Sequence, residues 1–152
     1  MCVSVKEHPT ARFGYYVDPE FFIYQSRDNR TVLELAQRVF GTGRIRPKPG
    51  NDKVLVFSIE NRRSLAEKVV PFLRRYMTFA GKKEDYERFC SLVEAMERRE
   101  HHTPQGMARI VEQAYALNPG GKGRTRKRVL REITDRILRD YTPDSRQDRE
   151  KV

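Results

Sequence analysis

The sequence predicts an α+β fold, a single folded unit whose elements run strand, strand, helix, strand, strand, helix, helix, helix. Three observations lead to it. Two pairs of short segments read as strands, by apolar-polar alternation in residues 2–8, by aromatic and β-branched content in 14–25, and by alternating cations and an apolar run in 41–59. The segments that follow each pair carry apolar residues at the three- and four-residue spacing of an amphipathic helix, and glycine, proline and asparagine fall between the runs. At 152 residues the chain is long enough for one hydrophobic core and too short to presume two.

The elements follow in order. Residues 2–8 alternate, with Val3 and Val5 to one side and Ser4, Lys6 and His8 to the other, as a strand that stops at Pro9. Residues 14–25 are rich in aromatic and β-branched side chains and form the second strand, with Pro19 marking a bulge or an edge inside it. Asp28 or Asn29 caps a first helix that sets Val32, Leu35, Ala36 and Val39 at helical spacing and stops at Gly41 after Phe40. Residues 41–59 supply a second hairpin, turning through Pro49, Gly50, Asn51 and Asp52 into the run Val54-Leu55-Val56-Phe57. Asn61 caps a second helix with Leu65, Val69 and Phe72 inward, which Pro71 is expected to kink or break. Residues 82–100 read as a third helix with Tyr86, Phe89, Leu92, Val93 and Met96 inward, and Thr103-Pro104 opens a fourth through Ile110, Val111, Ala114 and Leu117. Three regions result: a folded domain, 1–121; a basic helical extension, 122–141, with Val129, Ile133, Ile137 and Leu138 as its apolar residues; and a charged tail, 142–152, whose composition predicts disorder.

Charge narrows the function. Lys and Arg number 31 against 21 Asp and Glu, a net charge of +10 and a pI near 9.9, which favours a polyanionic partner, nucleic acid first. No stretch approaches the roughly 20 apolar residues of a membrane-spanning helix. The first residues also lack the charged-then-apolar layout of a secretory signal, so the sequence predicts an intracellular protein with no membrane partner. Cys2 and Cys90 stand far apart, outside any Cys-x-x-Cys pair, and read as incidental or buried thiols. His101 and His102 are adjacent and therefore point to different sides, with no third ligand near in sequence, so no metal ligand is assigned.

The second hairpin is the most informative stretch. Arg44, Arg46 and Lys48 are two residues apart, so on a strand they project to one side at intervals of roughly 7 Å, close to the spacing of successive phosphates. Such a row suits an anionic groove. It also suits an edge strand guarded against aggregation by its charges, and the stretch alone leaves both readings open.

Five pieces, in order and in register, resemble the LAGLIDADG homing endonucleases. They are Phe22-Ile23-Tyr24-Gln25 before a capped helix; Phe40-Gly41-Thr42-Gly43-Arg44-Ile45; Val70-Pro71-Phe72-Leu73; Lys82-Lys83-Glu84-Asp85-Tyr86; and Glu100-His101-His102-Thr103-Pro104-Gln105-Gly106. The resemblance runs over 2–121. It implies a four-stranded antiparallel saddle with helices on one face, laid in the major groove of double-stranded DNA, and an intron- or intein-type enzyme that cuts both strands with magnesium as a homodimer. It makes Ser4, Lys6, Arg44, Arg46, Lys48 and Lys53 the DNA-facing set, the arginines bridging guanine N7 and O6 and the lysines neutralising phosphates. It likens Gln25 to the family's polar residue beside the scissile phosphates and Lys82 to the lysine that organises water or charge there. Taken by themselves, Gln25 is a strand-end polar residue and Lys82 a helix-start cation.

One departure qualifies the resemblance. In the family a helix carrying the name motif precedes the first strand, packs two copies together and ends in the acidic residue that binds magnesium; this sequence starts at Met1, where that motif would just have finished. Glu7, Asp18 and Glu20 match no position of the catalytic set, and two-metal cleavage requires carboxylates converging on ions about 4 Å apart. The expected function is therefore a homing endonuclease, truncated and inactive as given. The alternative is a non-catalytic remnant that binds DNA or RNA, or a cofactor of intron splicing; a basic RNA- or ribosome-binding domain unrelated to endonucleases is a third reading. A further expectation is that apolar surface on the sheet and the third helix stands exposed.

Overall fold

The computed structural model describes residues 1–77, 82–117 and 129–139. Its strands are β1 (Cys2–Glu7), β2 (Tyr15–Ser26), β3 (Arg44–Lys48) and β4 (Asn51–Ile59), joined in one antiparallel sheet of order β1-β2-β4-β3. The organising strand is β2. Its first half, 15–20, pairs with β1, and its second half, 21–26, pairs with β4, so each half hands the sheet to a different neighbour. Pro19 falls in the first half, opposite Val3, where no described strand pairs with the other edge and its missing N–H is tolerated.

Alternation decides which side of the sheet is covered. Val3, Tyr15, Val17, Phe21, Leu55, Phe57 and Ile59 all turn to one side and are buried. Over them lie α1 (Arg30–Phe40), α2 (Arg62–Ser64), α3 (Val70–Tyr76), α4 (Lys83–Glu97), α5 (Pro104–Leu117) and α6 (Leu130–Arg139). Phe89, Leu92, Val93, Ile110 and Val111 complete the core, as the helical spacing in α4 and α5 predicts. Thr103 caps α5, its hydroxyl accepting from the Gly106 N–H at 3.1 Å.

Three elements differ from expectation. On α1 the residues buried are Leu33 and Phe40, whereas Val32, Leu35 and Val39 are 45%, 54% and 56% exposed. Both sets have helical spacing, so the sequence pattern cannot choose between them; the aromatic cluster of Phe40 with Phe21 at 5.3 Å and Phe72 at 5.0 Å does. Asn61 caps α2 as predicted, accepting from the Ser64 N–H at 2.9 Å. Pro71 does not break the helical run, because a π-helical turn, Leu65–Val69, precedes α3. That wider turn advances the register, and Leu73 rather than Phe72 joins Leu65 and Val69 in the core. Lastly, α6 is described only from Leu130; Ile133 and Ile137 enter the shared core while Val129 and Leu138 stay exposed. Residues 122–128 and the tail 142–152 lie outside the described residues.

Candidate nucleic-acid interface

The opposite face of the sheet carries the charges. On β3, Ile45 and Pro47 pair with Phe57 and Leu55, so Arg44 and Arg46, paired with Ser58 and Val56, turn together to the outer side. Gly43, at φ +98°, starts this strand against the Phe57 ring, where a Cβ would collide with the ring carbons. Ser4 and Lys6 project from β1 on the same side, opposite Asp18 and Tyr16 of β2. The ladder breaks between Pro47 and Lys48, which pairs with Asn51 and holds its ammonium 5.3 Å over the Tyr24 ring.

Most cations of this face have carboxylate partners. Lys6 Nζ is 2.8 Å from Asp18 Oδ2, and this hydrogen bond raises its pKa above the usual value. Arg44 Nη2 lies 3.1 Å from Glu60 Oε2, and Arg46 Nη2 lies 3.2 Å from Glu60 Oε1 and 3.6 Å from Glu20 Oε1. The Ser58 hydroxyl donates to Glu60 Oε1 at 3.1 Å. Lys6, Arg44 and Arg46 thus meet Asp18, Glu20 and Glu60, and the centre of the face is a lattice of alternating charge. The outward direction of these carboxylates was legible in the sequence: Asp18 and Glu20 alternate along β2 with buried Val17 and Phe21, and Glu60 continues the outward parity of Ser58.

The remaining predicted residues scatter. Lys53 is exposed near the tip of the second hairpin, in the part of β4 where the pairing with β3 shifts register. Gln25 is half-buried opposite Leu55 near the end of β2, on the side of Phe21 and Ile23. Lys82 immediately precedes α4, with its ammonium 3.9 Å from Asp85. The Met1 amino group is held below its usual value chiefly by burial, and Lys82 lowers it further, so the start of α4 lies by the start of β1. Between these starts and α1 runs an apolar groove lined by Met1, Phe22, Leu35, Val39, Phe72 and Tyr86, in which α1 has a larger share than the predicted third helix, α4.

A second polar cluster sits where α2 meets the corner before α5. Arg62 Nη1 is 3.1 Å from His101 Nε2, which must accept, so the ring's proton belongs on Nδ1; that atom is buried without a partner. Burial, then the charges of Arg62, His102 and Arg99, push the His101 pKa down to about 4. Among the described residues no three of His, Cys, Asp and Glu gather as metal ligands, and Asp18, Glu20 and Glu60 are all held by cations. These residues do not fit a magnesium site. No described helix is long and apolar enough to cross a membrane.

Comparison with known proteins assigns the fold to a family. Residues 2–93 match the family model described as LAGLIDADG endonuclease. The chain is 38% identical over 115 residues to the DNA endonuclease I-CeuI of Chlamydomonas moewusii, covering 76% of this chain and 53% of that protein, so it spans about half the length of that relative. The archaeal intron-encoded homing endonuclease I-Vdi141I, solved in complex with DNA, superposes with a TM-score of 0.81 at 30% identity, over 91% of this chain and 86% of that one. The LAGLIDADG homing endonuclease I-LtrWI, bound to its target DNA, gives a TM-score of 0.72 at 30% identity, over 79% of this chain and 40% of that one. With its four-stranded antiparallel sheet, its helices on one face and a family match that spans more than half its residues, this chain belongs to the LAGLIDADG endonuclease family.

Proposed function

We propose that this chain is the duplex-reading unit of an intron-type homing endonuclease, which recognises one DNA site with the outer face of its sheet and hydrolyses both strands there. The observation that carries the reading is the joint outward projection of Arg44 and Arg46 from a strand of this fold, whose relatives I-Vdi141I and I-LtrWI were solved on DNA. A two-stranded ribbon fits the major groove, and each guanidinium can bridge guanine O6 and N7. Lys48 lies outside the lattice of carboxylates and neutralises phosphate, which positions the protein without reading sequence. Ser4 and Lys6 extend the face on β1, and Lys53 contacts the backbone from the hairpin tip. Gln25 is the polar residue beside the phosphate being cut, and Lys82 organises water or offsets the negative charge that develops there.

The family depends in general on a divalent metal, and magnesium is the ion proposed. The described carboxylates do not form its site. We also propose that two such units act together on a two-fold site. The 40% of I-LtrWI that this fold covers leaves room in that chain for a second unit, which supports the pairing. A nuclease of this kind works inside the cell, where its DNA is.

The test starts from the purified chain and a pool of random duplexes. Repeated selection is expected to enrich one sequence, and a supercoiled plasmid carrying it is expected to be linearised when Mg²⁺ is added. Enrichment with no cleavage under any divalent ion supports the non-catalytic alternative instead. Failure to enrich any duplex, with tighter binding to structured RNA at matched salt, overturns DNA recognition altogether.

A further inference from the structure

We propose that Glu60 is a specificity-determining positioning residue, which acts on DNA through Arg44 and Arg46 and rests on the reading of the outer face as the duplex-binding surface. Both of its oxygens are committed: Oε2 to Arg44 at 3.1 Å, and Oε1 to Arg46 at 3.2 Å and to the Ser58 hydroxyl at 3.1 Å. One carboxylate next to the end of β4 therefore clamps two guanidiniums that stand two residues apart on β3. Without it, the two cations on the sheet's edge strand would repel each other, and Arg46 would keep only its longer contact to Glu20 at 3.6 Å.

The clamp does little for stability. Its partners are substantially exposed, Arg44 at 70% and Glu60 at 42%, and exposed ion pairs contribute little. Its consequence is for binding. A guanidinium carries five N–H donors in a planar fork, so one edge can remain on Glu60 while the other is presented to a guanine. Arginines already ordered lose less freedom when they bind, which favours the duplex that suits their fixed geometry.

The charge balance points the same way. Lys6, Arg44 and Arg46 are matched by Asp18, Glu20 and Glu60, so the centre of the face offers little net attraction to phosphates. A duplex that cannot satisfy the arginine forks meets these carboxylates without compensation. Glu60 thus weakens binding to unsuitable sequences at the same time as it orders the groups that read suitable ones.

The experiment compares wild type, Glu60→Gln and Glu60→Asp for binding to the selected duplex and to random duplex, each over a range of salt. Glu60→Gln is expected to bind random duplex more tightly and to lower the ratio of selected to random affinity about tenfold, the size of one loosened bidentate base contact. Glu60→Asp keeps the charge but is shorter by one methylene, and it is expected to lose much of the same ratio. In an Arg44→Ala/Arg46→Ala background, Glu60→Gln should no longer change the ratio. Melting temperatures are expected to stay near wild type. If Glu60→Gln strengthens both affinities by one common factor, or Glu60→Asp matches wild type, the residue acts only as a charge and the proposal fails. If wild type itself prefers no duplex over random, the duplex-reading function fails, and the role of Glu60 with it.

Discussion

Arg136 of α6 sets its Nη1 2.7 Å from Oε1 of Glu7 at the end of β1, an ion pair between residues 129 apart in sequence. The same guanidinium lies 5.6 Å over the Tyr15 ring, and its pKa is raised chiefly by the bond to Glu7 and then by Tyr15. The last described helix is therefore tied to the first hairpin as well as packed on α5. Ile133 and Ile137 below it belong to the common core.

That arrangement divides two substitutions. Ile137→Ala empties a fully buried site and is expected to lower the unfolding free energy by about 2 to 5 kcal/mol in urea titrations. Arg136→Ala removes an exposed pair and is expected to change it far less. Equal losses would mean that the ion pair, and not the apolar contact, holds α6.

The outer face should separate base readers from phosphate contacts. Arg44→Ala and Arg46→Ala are each expected to relax preference at one or two base pairs by about 1 to 3 kcal/mol. Lys48→Ala should weaken binding to every duplex and flatten the salt dependence of the affinity by about one unit of slope. A panel of single base-pair variants, titrated at several salt concentrations, checks both; equal effects of all three changes on selected and random DNA would exclude base readout.

His101 predicts a pH effect of definite sign. Its pKa is lowered from 6.5 to about 4, so the folded state binds fewer protons at this site than the unfolded state between those values. The neutral ring's contribution to stability is complete above about pH 6.5 and declines as pH falls towards 4. Unfolding free energies for wild type and His101→Gln, measured from pH 7.5 to 4, are expected to converge on acidification. Parallel curves would show that the ring does not carry the proton linkage.

Cys90 is fully buried on α4, and its thiol is pushed up to about 11, mainly by burial. In native protein at neutral pH, a thiol reagent is expected to modify the half-exposed Cys2 first and Cys90 only as the protein unfolds. Peptide mapping after timed alkylation reads this directly.

Much of the architecture was legible in the sequence because it rests on local rules. Period-two alternation marked β1, the apolar run Val54-Leu55-Val56-Phe57 marked β4, Gly41 marked the end of α1 at φ +59°, and Asn61 marked the start of α2. The apolar stripes of α4 and α5 were legible because each sequence offered a single face to bury. On α1 two faces of similar spacing competed, and the ring cluster around Phe40 chose the one that spacing alone left open. Within the candidate site, alternation gave the outward direction of Arg44 and Arg46. Their ionic partnership was not legible, because Glu20 and Ser58 come from other strands, Glu60 follows the end of β4, and all three meet β3 only through the order β1-β2-β4-β3.

By itself, then, the sequence determined the class of the fold, the run of its elements, its strongly basic character and the family it resembles. These depend on residue type and short-range spacing, which chain geometry converts into strands, helices and faces. Tertiary structure alone decided that the cationic row is interleaved with carboxylates and that α6 shares the core. The reason is that pairing register and packing join residues far apart in the chain, and a charge acts on whatever charge the fold brings within a few ångströms.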